Sequence, residues 1–202
     1  MNRGFSCQLK FVCFALLTAC PCLVGQEEAQ PSPEASAKEL QEYMKLIEPG
    51  DEHALFTTLV GRWTIAQKLW YMPGPPQEAK GSCEYKVVLG GRYLIQDVTS
   101  ESPIWGKMNG VGTLAYDKIR EEYVHTWIDS MGTGVMISRG KSKNGGKTVE
   151  LHSDEIDPMT RAEVHFRTVA DYSQKNEHTF VMYERRPDEE ERKIMEIIYT
   201  RE

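Results

Sequence analysis

From Arg62 to Arg201, apolar and polar side chains alternate with a period of two in short runs, and each run ends at a turn-forming segment. This period places successive side chains on opposite faces of a β-strand. The runs are rich in Val, Ile, Thr, Tyr and Trp, and Gly-, Pro- and Asn-containing segments separate them. The pattern predicts ten strands: Arg62–Tyr71, Gly81–Leu89, Arg92–Ser100, Gly110–Tyr116, Tyr123–Asp129, Gly134–Ser138, Thr148–Ser153, Ala162–Ala170, His178–Arg185 and Lys193–Arg201.

Ten strands joined by short links indicate one all-β domain built as an antiparallel meander. An open sheet of this size would leave two edge strands unpaired and one face unburied. Closing the sheet into a barrel removes both problems. We therefore predict a single up-and-down barrel of eight to ten strands over residues 53–202, with no internal repeat and no second domain.

The segment before the barrel has helical rather than strand periodicity. Between Ala35 and Glu48 the apolar residues recur at helical spacing, and Pro49 and Gly50 end the run. We expect this short amphipathic helix to pack on the barrel or to close one of its ends. A second helical turn is predicted over His53–Leu59. Residues 26–34 are polar and contain proline, which indicates a tether, so residues 26–52 form a tether and a helix.

Residues 1–25 have the pattern of a secretory leader. Arg3 and Lys10 precede an apolar run, Phe11–Leu17, that is followed by small residues. The run is too short to cross a bilayer, which needs about 20 apolar residues. Cleavage after Gly25 would release a soluble protein. Alternatively, "LTAC" is a lipobox that leaves a lipidated Cys20 as a membrane tether. Both alternatives predict export to the periplasm, the cell envelope or the medium.

The charge and the cysteine content argue against a nucleic-acid-binding protein and against a disulfide-stabilised one. The chain has 30 Asp and Glu against 24 Lys and Arg, a net charge of −6, and no densely basic stretch. Because an acidic surface repels phosphates, we expect no nucleic-acid partner. Four of the five cysteines lie in the leader, which leaves Cys83 alone in the domain. We therefore expect no internal disulfide and a buried, unreactive Cys83.

Several motifs together resemble one protein family. "TLVGRW" (58–63) is similar to the opening of lipocalin barrels, in which the tryptophan packs under the barrel floor, so Gly61 and Trp63 are expected to be structural. "VLGGRYL" (88–94), "GVGTLAYD" (110–117), "YVHTWIDSMGTG" (123–134), "FRTV" (166–169), "MYE" (182–184) and "MEIIYTR" (195–201) resemble the exported, lipocalin-like domain-of-unknown-function family 1579. The resemblance runs from His53 to the C-terminus. It implies a lipocalin-like, calycin-type barrel and carries no settled activity.

The fifth predicted strand carries the strongest candidate site. Its alternate residues Val124, Thr126 and Ile128 are mostly β-branched and suit the outside of a barrel. The other face, which we predict to line the lumen, therefore holds a phenol, an imidazole, an indole and a carboxylate. These four side chains belong to Tyr123, His125, Trp127 and Asp129.

A carboxylate inside a barrel needs a partner, because burying an unpaired charge is costly. Arg167 and Arg201 are two candidate partners for Asp129, and the turn "SMGTG" that follows it is the alternative. We expect Met182 to contribute to the lumen wall, together with Trp127. Tyr183 is a further candidate for the wall, whereas Glu184 is expected to face solvent.

Known catalytic motifs are absent from the sequence. There is no G-x-S-x-G elbow, no Walker loop and no dinucleotide fingerprint. The five histidines are dispersed, so no metal site is predicted. Only His125 and His165 are expected to lie well inside strands. No catalytic residue is therefore predicted.

Three functions remain open on this sequence. We favour a module that binds a small, largely apolar molecule in the barrel lumen. The first alternative is a ligand-free structural or envelope-interaction protein. The second uses an inward histidine to ligate haem iron, or an inward His–Asp pair to transfer protons. No cofactor is predicted under the favoured interpretation, and haem remains as the alternative.

Overall fold

The structure is a computed structural model that describes residues 33–103 and 106–202. The predicted leader with Cys20 and residues 26–32 of the predicted tether lie outside the described residues.

The ten predicted strands are present and form a closed barrel. Each strand pairs antiparallel with its neighbours in sequence, and the first strand pairs with the last. The prediction of an all-β, up-and-down antiparallel barrel is therefore confirmed. The strands are β1 (Gly61–Leu69), β2 (Gln77–Val88), β3 (Tyr93–Ser102), β4 (Gly106–Asp117), β5 (Glu122–Asp129), β6 (Met136–Lys143), β7 (Thr148–Ile156), β8 (Glu163–Asp171), β9 (Glu177–Arg185) and β10 (Arg192–Arg201).

Alternation along the strands separates the inside of the barrel from the outside. In β1 every second residue from Trp63 to Leu69 is buried, and the residues between them are exposed. Pairing of β1 with β10 runs from Trp63 opposite Arg201 to Leu69 opposite Met195. Because this ladder closes the sheet, none of the described strands is left as an open edge.

A short helical segment closes the end of the barrel where β1 begins. A 3-10 turn, Asp51–His53, leads into a helix, Ala54–Leu59, whose Phe56 and Leu59 are buried. The indole Nε1 of Trp63 donates a hydrogen bond to the carbonyl oxygen of Leu59, at 2.9 Å. Between helix and strand, Gly61 has a φ of 124°, which a residue with a Cβ rarely adopts. Trp63 and the helix before it thus form the barrel floor.

The first helix, Pro33–Ile47, does not close the barrel. Its apolar residues Leu40 and Met44 are 60% and 44% exposed. Its C-terminal end is held by Lys118, whose Nζ donates to the carbonyl oxygens of Lys45 and Glu48. The expectation that this helix packs on the barrel or closes it is wrong, because the shorter segment with Phe56 and Leu59 already fills that end.

Cys83, the cysteine of the barrel domain, is buried and unpaired. It is 2% exposed and has a free thiol, and burial raises its pKa to about 12. The thiol is therefore protonated and packs as a small apolar group.

None of the helices in the described residues is both long enough and apolar enough to span a membrane.

Candidate functional site

The barrel encloses a cavity of about 450 Å³ that reaches from the floor to the opposite end of the strands. Tyr71, Gly106 and Met131, at or just beyond strand ends, mark its mouth. Most of the side chains around it are aliphatic or aromatic, and five methionines contribute. These methionines are Met108, Met131, Met136, Met182 and Met195.

Trp127 approaches the backbone of β4 closely because that strand has glycines at the positions next to the indole. A Cβ added at Gly110 would be 2.2 Å from Cζ2 of Trp127, and one at Gly112 would be 3.3 Å from its Cε3. Both positions would clash or crowd the ring, so only glycine lets the indole approach the sheet this closely. The indole therefore packs against the β4 backbone, and Trp127 lines the cavity.

Asp129 fixes the orientation of this indole and of the turn that follows. Its Oδ2 accepts a hydrogen bond from Nε1 of Trp127, and its Oδ1 accepts one from the backbone N–H of Met131, both at 2.8 Å. The predicted contact with the following turn is thus present. Neither arginine proposed as its partner contacts it.

His125 faces the cavity beside Trp127, with the two rings 24° from parallel and their centroids 6.4 Å apart. Neither ring nitrogen has a hydrogen-bond partner among the residues that the structure describes. Burial lowers the pKa of His125 to about 4, so the imidazole is neutral near pH 7. Because both carboxylate oxygens of Asp129 bond elsewhere, His125 and Asp129 do not form a proton-transfer pair.

The remaining predicted lumen residues divide into two groups. Met182 lines the cavity as expected. Tyr123 points into the barrel but lies below the cavity at the closed end, where it is 1% exposed and its hydroxyl donates to the carbonyl oxygen of Glu52. It therefore contributes to the closed end and not to the cavity wall.

Arg167 and Arg201 do not line the cavity, and their assignment to the lumen is wrong. Arg167 is on the outer face, where it pairs with Glu191 and lies 4.1 Å from the ring centroid of Tyr183. Tyr183 accordingly also faces outward. Arg201 lies at the floor, where its guanidinium donates to the carbonyl oxygens of Thr58 and Val60 and so binds the C-terminal end of the short helix.

Two inward residues escaped the sequence pattern. His178 is 3% exposed at the cavity floor, where it stacks on Tyr199 at 4.2 Å and its Nε2 lies 3.2 Å from the hydroxyl of Tyr85. His165, by contrast, hydrogen bonds to Asp154 on the outer surface. His125 and His165 lie inside strands, as expected, but the expectation that they alone do so is wrong, because His152 lies inside β7 and His178 near the start of β9.

Glu184 is the second missed residue. It is 5% exposed near the mouth, where its carboxylate accepts hydrogen bonds from Arg186 and Arg192 at 2.9 and 2.7 Å. Burial alone would raise the pKa of Glu184, but the two guanidinium groups hold it below its usual value. The expectation that Glu184 faces solvent is wrong: Glu184 lies two positions after the inward Met182, and Arg186 and Arg192 compensate its buried charge.

Asp129→Asn tests the turn assignment. The amide can accept only through one atom, so one of the two hydrogen bonds is lost and the free energy of unfolding should fall by about 0.5 to 1.5 kcal/mol. Urea denaturation measures this loss. Asp97→Asn, on the exposed face of β3, is the control and should change stability by less than about 0.5 kcal/mol. An Asp129→Asn loss above about 3 kcal/mol would instead indicate a buried ion pair.

Comparisons with known proteins agree with this architecture. A family model described as "Protein of unknown function (DUF1579)" matches residues 48–201. No curated protein matches the chain. Rv2717c from M. tuberculosis is similar in structure, with a TM-score of 0.55 and 14% identity over 77% of this chain and 99% of that one. The S-type phycobiliprotein lyase CPES from Guillardia theta has a TM-score of 0.50 and 12% identity over 74% of this chain and 91% of that one. At these identities the likeness concerns the fold.

Proposed function

The chain belongs to the protein family of unknown function DUF1579, and we propose that it binds a small, largely apolar molecule in the lumen of its barrel. The observation that carries the proposal is the cavity of about 450 Å³, which has the size of a small-molecule site. A barrel whose only task was structural would gain stability by filling this space with side chains.

The chemistry of the wall favours an apolar ligand. Among the described residues that line the cavity, Asp129 alone carries a charge at neutral pH, and both its oxygens are already hydrogen bonded. Apolar area removed from water stabilises a complex by about 25 cal/mol per Å², whereas burying an unpaired charge is unfavourable. A molecule without charge therefore fits this lumen best.

One similarly folded barrel is named a phycobiliprotein lyase, so the fold accommodates chemistry as well as binding. In the present chain the His125–Asp129 pair, which an acid–base mechanism would use, is not formed. We therefore propose binding as the function and assign no catalytic residue.

Native mass spectrometry of the protein purified from its own host tests this proposal. We expect one co-purifying molecule per chain, lost on denaturation, and no haem absorbance band. A haem band would replace the proposal with the haem alternative. A chain that carries no bound molecule and takes up no apolar probe would support the ligand-free structural role.

We also propose that the barrel acts outside the cytoplasm, which rests on the leader pattern of residues 1–25. Intact-mass measurement in the native host should show loss of the leader. Labelling with a palmitate analogue separates the two cleavage alternatives, since Cys20→Ala would abolish a label only if Cys20 is acylated. A full-length chain in the cytoplasm would contradict export.

A further inference from the structure

One wall of the lumen is aromatic. The indole of Trp127 packs against Gly110 and Gly112, and the ring of His125 lies next to it, 24° from parallel and with its centroid 6.4 Å away. The two residues are two positions apart on β5, so both side chains point into the barrel. Both rings line the cavity.

The opposite wall is adaptable. In the closed order of ten strands, β10 lies diametrically opposite β5 and β9 lies opposite β4. These two strands contribute Met195 and Met182 to the lining. Methionine side chains adjust to irregular shapes, and their sulfur atoms make favourable contacts with aromatic rings. A flat ring placed on Trp127 would thus be covered from the other side.

Two polar side-chain atoms on this wall lie near Gly112 and have no hydrogen-bond partner among the described residues. Nε2 of His125 and Oε1 of Gln96 lie 2.9 and 3.0 Å from the position that a Cβ of Gly112 would occupy. The amide nitrogen of Gln96 donates to the hydroxyl of Tyr199, and its Oε1 accepts no hydrogen bond from the described residues. His125 likewise has no partner there. Polar groups left unpaired in an apolar cavity favour a ligand that supplies the missing hydrogen bonds.

The charge of this ligand follows from its surroundings. His125 is neutral at physiological pH because it is buried, and none of the described lining residues is a lysine or an arginine. An anion would find no counter-charge and would lie in the same cavity as Asp129. A cation would find the Asp129 carboxylate already engaged by Trp127 and Met131.

Resting on the proposed function, we infer that the ligand is an uncharged aromatic molecule that stacks on Trp127 and presents a single hydroxyl-type polar group to His125 and Gln96. Stacking on Trp127 favours flat molecules over other shapes. The two polar atoms favour a molecule that carries, on its ring, one group able both to donate and to accept a hydrogen bond.

A matched series of probes tests the inference: naphthalene, 2-naphthol and 2-naphthoate share one ring system and differ in the polar group. Affinities are measured by displacement of the fluorescent probe N-phenyl-1-naphthylamine. The wild-type protein should bind 2-naphthol about three- to tenfold more tightly than naphthalene, and 2-naphthoate most weakly. His125→Phe keeps a flat ring without the polar atoms, and Gln96→Leu removes the carbonyl. Each should abolish the preference for 2-naphthol, so that the affinities for 2-naphthol and naphthalene differ by less than about twofold within that variant.

Thr168→Val is the control, because it removes a lumen hydroxyl on a different strand without changing the side-chain shape. The ratio of the two affinities should stay at the wild-type value. Equal binding of naphthalene and 2-naphthol, a preference that survives in either test variant, or tighter binding of 2-naphthoate would overturn the inference while the binding function stands. If neither N-phenyl-1-naphthylamine nor any member of the series binds, the proposed function itself fails.

Discussion

Trp63→Ala is expected to lower the free energy of unfolding by about 3 to 5 kcal/mol, which is typical of removing a large buried aromatic side chain. Trp63 is 1% exposed and packs edge-on against His178, with ring centroids 4.5 Å apart. The guanidinium of Arg201 lies 4.1 Å from the ring centroid. Truncation would therefore open a cavity in the floor and remove both the cation–π contact and the hydrogen bond to Leu59.

Trp70→Ala is the matched control, since the same atoms are removed from a half-buried site next to the mouth. There the Nζ of Lys193 lies 4.4 Å from the centroid of the ring. We expect less than half of the loss seen for Trp63→Ala. Urea denaturation of both variants provides the comparison. Wild-type stability for Trp63→Ala would contradict the assignment of Trp63 to the floor.

Stability should fall by up to about 4 kcal/mol between pH 7.5 and pH 5 because two histidines inside the barrel have lowered pKa values. Burial, with a further contribution from Arg201, lowers the pKa of His178 to about 3, and burial lowers that of His125 to about 4. In the unfolded chain both pKa values are about 6.5. The unfolded state therefore binds more protons below pH 6.5, so stability is full above this pH and decreases as the pH falls. Each histidine contributes at most about 2 kcal/mol at pH 5.

Urea denaturation at pH 7.5, 6 and 5 measures this dependence, and His178→Phe should remove about half of it. The pH difference within each variant is compared, so a change in its overall stability does not matter. NMR provides a second readout: the imidazole signals of His125 and His178 should not titrate between pH 8 and pH 5. Titration of either residue with a midpoint near 6.5 would contradict its burial in the neutral form.

The barrel was predictable from sequence because its main determinant is local. Alternation in β1 and β5 fixes which residues point inward, and the turn segments fix the strand count. The bounds of β6 were predicted less accurately. The predicted strand was Gly134–Ser138, whereas the observed one is Met136–Lys143. Its second half, "RGKSK", is polar and contains glycine, so its sequence resembles a loop. Pairing with β7 determines its conformation instead.

The sequence predicted which side chains of the candidate site point into the barrel, but not how far each lies from the barrel floor. Alternation correctly orients Tyr123 and Arg201 toward the barrel axis, yet the position of the floor depends on the short helix, which is a tertiary feature. Arg167 belongs to a strand whose inward positions include Val164 and Thr168, so its outward orientation follows from parity. The role of Gly110 could not be deduced from the sequence, because it depends on the indole of the neighbouring strand.

The most direct test of the central claim is a titration with N-phenyl-1-naphthylamine. It uses a variant in which Trp127 is the only tryptophan, the other three being replaced by phenylalanine to preserve an aromatic ring at each site. Two further variants make the result specific: Ala170→Phe fills the lumen, and Val169→Phe adds the same ring to the outer face of the same strand. Circular dichroism verifies that the single-tryptophan variant and both of these variants are folded. We predict saturable binding of one probe per chain with quenching of Trp127 emission, abolished by Ala170→Phe and retained in Val169→Phe. Probe binding that leaves Trp127 emission unchanged, or that persists in Ala170→Phe, would contradict a ligand site in the lumen.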